Sequence, residues 1–180
     1  MKRKTPLLLV VLALNGCVIN SVRPLSADDT VSTHRATIVY GVKMEGRWNY
    51  PGFAVQLDEY NLNTSEITGN CFTYNRASAK IPAIPGTRHY FAFDVPAGHY
   101  VYSPFNGTQL SGGNIRFEAP AGKSVYVGEF VFTQNQSVVL LRNLTEAKSA
   151  INAALPGLAD QLSPADTVIV NNPHIFLCVP

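Results

Sequence analysis

The sequence carries little charge, and its main part has no excess of basic residues. Charged residues make up 14% of the 180 residues, with 14 Lys and Arg against 12 Asp and Glu. Lys2, Arg3 and Lys4 stand together at the start, so the rest of the chain has 11 basic residues against 12 acidic ones. A protein that binds nucleic acid or an anionic membrane through charge needs a basic stripe or patch. We therefore exclude nucleic acid as a partner.

Common catalytic motifs are also missing from the sequence. It contains neither the G-x-S-x-G turn of many hydrolases nor the H-E-x-x-H pair of zinc proteases. Gly122-Lys123-Ser124 is similar to the end of a P-loop, but Phe117 stands where a P-loop needs its first glycine. Asp58 and Glu59 are neighbours on a predicted strand, so their side chains point to opposite faces. We predict no catalytic residue and no cofactor, the alternative being a hydrolase with a dispersed site.

The histidines show no spacing typical of metal ligands. They are scattered over the chain, at His34, His89, His99 and His174. His89 and His99 could face each other across a predicted hairpin, which leaves a zinc site there as a minor alternative. We predict no metal site.

An apolar run near the N-terminus indicates export. Residues Leu7–Leu14 are all apolar and follow the basic Lys2–Lys4. The run is too short for a bilayer, which needs about 20 residues. It fits the apolar part of a secretory signal, which has about 7–15 residues. We predict a signal peptide over residues 1–16.

The end of this signal resembles the lipobox of bacterial lipoproteins. Leu14, Gly16 and Cys17 match that motif, whereas Asn15 departs from its usual Ala or Ser. The resemblance implies a lipid on the Cys17 thiol and cleavage before it, the alternative being an ordinary secretory signal. Val18 in place of Asp then implies the outer membrane, facing the periplasm. Residues 17–33 follow as a predicted flexible tether.

The other two cysteines form an even pair in an oxidising compartment. Cys71 and Cys178 are therefore predicted to form a disulfide. Such a bridge closes a long loop and would contribute about 4–5 kcal/mol in the chain-entropy model. Two buried free thiols are the alternative.

Residues 34–180 show the alternation of a β domain. Apolar side chains recur at every second position in segments such as Phe91–Val95 and Ile115–Ala119. Further strand-like runs are Tyr100–Ser103, Ser124–Phe132, Ser137–Leu141, Thr167–Val170 and Ile175–Val179. Short strands separated by Gly, Pro and Asn predict a single antiparallel β-sandwich. One C-terminal helix is predicted to begin after an Asn143 cap and to end at Pro156-Gly157.

A short repeat marks two turns of the predicted sandwich. Residues 93–98 read FDVPAG and residues 117–122 read FEAPAG. Since Pro ends a strand and Gly permits a reversal, each copy predicts a hairpin, and the two together predict a meander. The segments 96–100 and 122–128 also resemble turn motifs of prealbumin-like β-sandwiches in envelope lipoproteins. That resemblance implies the fold and says nothing about activity.

The segment 45–53 is the predicted binding loop. It holds the only Trp of the chain, Trp48, together with Arg47, Tyr50 and Phe53. Trp, Tyr and Arg supply large contact areas at binding hot spots. The alternative, which we favour, is that Trp48 plugs one end of the sandwich, since Trp is largely buried on average.

These observations predict a lipoprotein that is not an enzyme. We expect it to be attached to the membrane through its lipid and to act as a structural or binding module for an envelope protein or a glycan. A small-molecule carrier is a further alternative if the sandwich encloses an apolar cavity.

Overall fold

The structure is a computed structural model that describes residues 19–26, 29, 32–49 and 52–175. The strands are β1 (Ile19–Asn20), β2 (Arg23–Leu25), β3 (Arg35–Met44), β4 (Gly52–Asn61), β5 (Glu66–Ile67), β6 (Thr73–Tyr74), β7 (Arg76–Pro82), β8 (Arg88–Pro96), β9 (Gly98–Tyr102), β10 (Asn114–Ala119), β11 (Ser124–Phe132), β12 (Val138–Leu141), β13 (Leu162–Pro164) and β14 (Thr167–Val170). Helix α1 (Leu144–Ala154) and a 3-10 turn (Ala159–Gln161) lie between β12 and β13.

The strands form two larger sheets that pack face to face. Sheet A has the order β14-β10-β9-β4-β5, and β7 pairs with β4 as well. Sheet B has the order β12-β11-β3-β8-β2, and β13 pairs with β11. The pairings within these sheets are antiparallel except those of β11 with β3 and β13. The predicted class, a mainly β sandwich with one helix, is confirmed.

Aromatic side chains fill the space between the sheets. The ring of Tyr40 on β3 lies 5.7–5.8 Å from the rings of Phe91, Phe93 and Phe130. Such pairs contribute about 0.5–1.5 kcal/mol beyond the area that they bury. The Tyr40 hydroxyl donates to the carbonyl oxygen of Val55 on sheet A at 2.9 Å. This bond links the two sheets and satisfies a phenol that is fully buried.

A β-bulge in β11 changes which side chains face the core. The register with β3 shifts between Tyr126 and Gly128, which leaves Val127 as the extra residue. Val127 faces the core while Tyr126 faces the opposite side. Because of the shift, Phe130 also faces the core, and Glu129 lies on the outer face. Gly128 has φ +140°, and a Cβ there would lie 2.6 Å from Leu140 Cδ1.

The two Pro-Ala-Gly turns are not hairpins, so the predicted meander is wrong. The first connects β8 of sheet B to β9 of sheet A, and the second connects β10 of sheet A to β11 of sheet B. Each turn is therefore a corner between the sheets. In the first corner the Tyr100 hydroxyl donates to the carbonyl oxygen of Pro96 at 2.9 Å. The repeat thus marks two corners of the same kind.

Helix α1 covers the outer face of sheet B. Ala147 and Ile151 pack with Val39, Ala92 and Tyr126 in a second apolar cluster. The Asn143 side chain accepts a hydrogen bond from the amide of Glu146 at 3.2 Å. Both the cap and the end of the helix before Pro156 agree with the prediction.

Part of the predicted tether is folded onto the domain. Strand β1 pairs with β6, and β2 pairs with β8 at the edge of sheet B. The Asp94 carboxylate, almost fully buried, accepts hydrogen bonds from Arg23 of β2 and from Arg35 of β3. Residues 19–25 are therefore held by strand pairing and by an ion pair, and they are not a free linker.

The end of the described chain leads from β14, beside β10, to β5. Asn172 accepts a hydrogen bond from Asn114 of β10, and the His174 amide donates to the carbonyl oxygen of Ser65. Thr167–Val170, predicted as a strand, is β14, whereas most of the predicted strand Ile175–Val179 lies outside the described residues. Cys178 also lies outside them, so the disulfide with Cys71 stays a prediction.

Candidate functional site

A loop between β9 and β10 forms one wall of a surface pocket. Asn106 holds this loop against the edge of β4. Its side-chain oxygen accepts from the amide of Gln56 and its side-chain nitrogen donates to the carbonyl of Gln56, both at 2.9 Å. The side-chain amide thus takes the place of a paired strand. The Tyr102 hydroxyl fixes the other side of the loop by donating to the carbonyl of Thr108 at 2.9 Å.

The pocket itself has a volume of about 260 Å³ and an uncharged lining. We call it the amide pocket. Its polar lining includes Asn106, Thr108, Gln109, Asn114 and Asn172, and Pro104, Pro173 and Ile175 add apolar surface. Asn114 and Asn172 are joined by a hydrogen bond of 2.7 Å, which ties β10 to the segment that follows β14.

Two polar side chains of the amide pocket are not used by the fold. The side chains of Thr108 and Gln109 make no hydrogen bond to the described part of the chain, and Gln109 is exposed. An amide offers donors and an acceptor, and a hydroxyl offers both roles. The pocket can therefore exchange several hydrogen bonds with an uncharged polar ligand.

An ion pair lies beside the amide pocket on the outer face of sheet A. Asp58, which is buried, accepts from Arg76 Nε at 2.5 Å and from the Ser103 hydroxyl. The Arg76 guanidinium lies 5.2 Å from the ring centroid of Tyr74 and 4.9 Å from that of Phe105. The Asp58 carboxylate therefore connects β4 to β7 and to the loop that follows β9.

A second polar group lies between sheet B and helix α1. Glu129 forms an ion pair with Arg88 at 2.9 Å and accepts from the Tyr90 hydroxyl at 3.2 Å. Gly41 stands between Tyr90 and Glu129, and a Cβ on it would come within 2.7 Å of the Tyr90 ring. The glycine thus leaves the space in which the phenol and the carboxylate meet.

The two phenols beside Glu129, those of Tyr90 and Tyr126, have raised pKa values. A cavity of about 160 Å³ opens between these residues and the start of α1. Burial, with a smaller effect of the Glu129 charge, raises the pKa of Tyr90 to about 12. Burial also raises the pKa of Tyr126. Both phenols therefore stay protonated, and Glu129 is held by Arg88.

Trp48, the central residue of the predicted binding loop, is buried and not exposed as the binding hypothesis requires. Trp48 is only 8% exposed and belongs to the core, where its ring meets that of Phe132 at 5.4 Å. Its indole N–H donates to the carbonyl oxygen of Thr133 at 3.2 Å. Trp48 therefore plugs one end of the sandwich, as in the favoured alternative, and it is not an exposed contact residue.

Of the other predicted contact residues of that loop, only Arg47 has a described side chain, and it does not form a surface with Trp48, which is buried. Arg47 is exposed, and its carbonyl accepts a hydrogen bond from Gln136 at 3.1 Å. Tyr50 lies outside the described residues, as does the side chain of Phe53.

The histidine pair considered for zinc is also separated. His89 lies on β8 in sheet B and His99 on β9 in sheet A. In the part of the chain that the structure describes, no group of three His, Cys, Asp or Glu residues could hold a metal ion. None of the described helices is long and apolar enough to span a membrane.

The sequence did not point to the amide pocket, since its lining comes from separate segments. A weak signal was present, because Ser103–Asn114 is rich in uncharged polar residues and glycine. Glu129 gave another signal, since it is the one charged residue of a strand that is otherwise largely apolar. Comparisons with protein-family models, with curated proteins and with solved structures return no match.

The position of Trp48 generates a prediction about stability. Trp48→Ala should lower the free energy of unfolding by about 3–5 kcal/mol, because it removes a large aromatic side chain from the core. Urea unfolding followed by circular dichroism measures the change. Arg47→Ala is the matched control and should change the free energy by less than about 0.5 kcal/mol. Equal effects of the two substitutions would contradict the core position of Trp48.

Proposed function

We propose that this chain is the precursor of a bacterial envelope lipoprotein whose sandwich acts as a binding module and not as an enzyme. The N-terminal pattern ending at Cys17 supports the lipid anchor. Strand β1 begins at Ile19, two residues after that cysteine, so the mature chain would be folded almost from its first residue. The proposed location is the outer membrane, with the domain in the periplasm.

The amide pocket is the observation that carries the binding role. Neutral sugars present many hydroxyl groups and no charge, and amide and hydroxyl side chains complement such groups. The pocket offers these side chains, with Thr108 and Gln109 not engaged in the fold. A glycan that is reachable from the periplasm, such as the cell wall, is therefore the proposed ligand. A prealbumin-like sandwich, as the turn motifs imply, would serve as its rigid support.

The alternatives have less support in the described residues. For a hydrolase, the buried carboxylates of the described residues, Asp58, Asp94 and Glu129, are the first candidates, yet each is paired with arginine. For a carrier, the sandwich would have to enclose an apolar cavity, yet aromatic rings such as those of Tyr40 and Phe130 occupy the space between the sheets.

The anchor is tested by removing its thiol. Cys17→Ser should abolish labelling by an alkyne fatty acid in cells and should move the protein to the aqueous phase of Triton X-114, because the acyl chains supply the membrane affinity. Cys71→Ser is the control and should still be labelled. A Cys17→Ser protein that is labelled and partitions like the wild type would refute the anchor.

The binding role is tested with uncharged oligosaccharides of N-acetylglucosamine, a sugar of the cell wall. Calorimetry on the detergent-solubilised full protein should detect binding, and Gln109→Ala should weaken it by about twofold to tenfold through the loss of hydrogen bonds. Asn152→Ala, an exposed amide on α1, is the matched control and should bind like the wild type. Absence of binding by the wild type would reject the glycan and leave a protein partner as the alternative.

A further inference from the structure

At one corner of the domain, where the described chain begins, apolar side chains are exposed to solvent. In this corner the Ile19 amide donates to the carbonyl oxygen of Phe72 at 2.6 Å, and β1 pairs with β6. Ile19 is 55% exposed and Phe72 is 63% exposed. We call these two residues the apolar corner.

The surroundings of the apolar corner carry no charge in the sequence. Residues 19–22 read INSV and residues 70–74 read NCFTY. The nearest arginines in the sequence, Arg23 and Arg76, are paired with Asp94 and Asp58. An aromatic and a branched aliphatic side chain among uncharged polar groups match the interfacial region of a bilayer, where aromatic residues are enriched.

The distance to the anchor limits where this corner can lie. Only Val18 separates Cys17 from Ile19, and two extended residues span at most about 7 Å. Lipid chains on the Cys17 thiol enter the membrane at its surface. Because Ile19 is already paired with β6, the backbone at the β1 side of the apolar corner lies within about 7 Å of the residue that would carry the lipid.

We propose that the apolar corner is a membrane-contact surface, with Ile19 and Phe72 inserted into the interfacial region of the bilayer beside the lipid on Cys17. This inference rests on the proposed lipid anchor. It gives the domain a fixed orientation: the corner with β1 and β6 faces the bilayer, and the β7–β8 connection at the far end of β7 points away.

The test uses tryptophan as a depth probe in the full lipidated protein. Phe72→Trp and Ile19→Trp place a probe in the apolar corner. Ile84→Trp places one at the far end of β7, where Ile84 is 56% exposed and thus a matched control. Each protein is reconstituted into phosphatidylcholine vesicles with brominated acyl chains, and the emission of the wild-type Trp48 is subtracted. Flotation of the vesicles measures the anchor separately.

The proposal expects the emission added at position 72 or 19 to fall by about half in brominated vesicles, and that added at position 84 to stay unchanged. Proteins that float with the vesicles but show equal quenching at all three positions, or none, would overturn the contact surface while the anchor stands. Failure of the wild type to float would overturn the anchor and the contact surface together.

Discussion

The architecture of sheet B depends on the bulge in β11, where one extra residue changes which side chains of the strand face the core. Before the shift, Val125 faces the aromatic core and Tyr126 faces helix α1. Without the extra residue, strict alternation would turn Glu129 toward the core and Phe130 toward the helix. A carboxylate between the sheets would be costly, whereas on the outer face it meets Arg88 and Tyr90. One strand thereby serves both the core and the layer beneath the helix.

The other two buried carboxylates of the described residues are also paired with arginine. Asp94 joins β2 to sheet B through Arg23 and Arg35, and Asp58 joins β4 to β7 through Arg76. Breaking a buried pair leaves an uncompensated charge and typically costs about 3–5 kcal/mol. Each of these pairs connects segments that lie side by side in the fold. In the amide pocket, the hydrogen-bonding capacity that the fold leaves free belongs to uncharged side chains such as Gln109.

Sequence patterns predicted the layers better than the connections. Alternation identified Phe93 and Phe117 as core residues, and the cap at Asn143 identified the helix. The sequence predicts hairpins at the Pro-Ala-Gly turns because turn residues indicate a reversal of the chain and not the sheet that the next strand joins. The sequence did not predict the amide pocket, because Gln109 and Asn172 are far apart in the sequence and line the same pocket only in the folded chain.

The role of the bulge is tested most directly at Gly128. Gly128→Ala should lower the free energy of unfolding by about 1–3 kcal/mol, since it forces a side chain into a left-handed conformation against Leu140. Gly107→Ala, where a Cβ would meet no atom within 4 Å, is the control and should change it by less than about 0.5 kcal/mol. Urea unfolding with equal effects for both substitutions would contradict the dependence of the fold on this bulge.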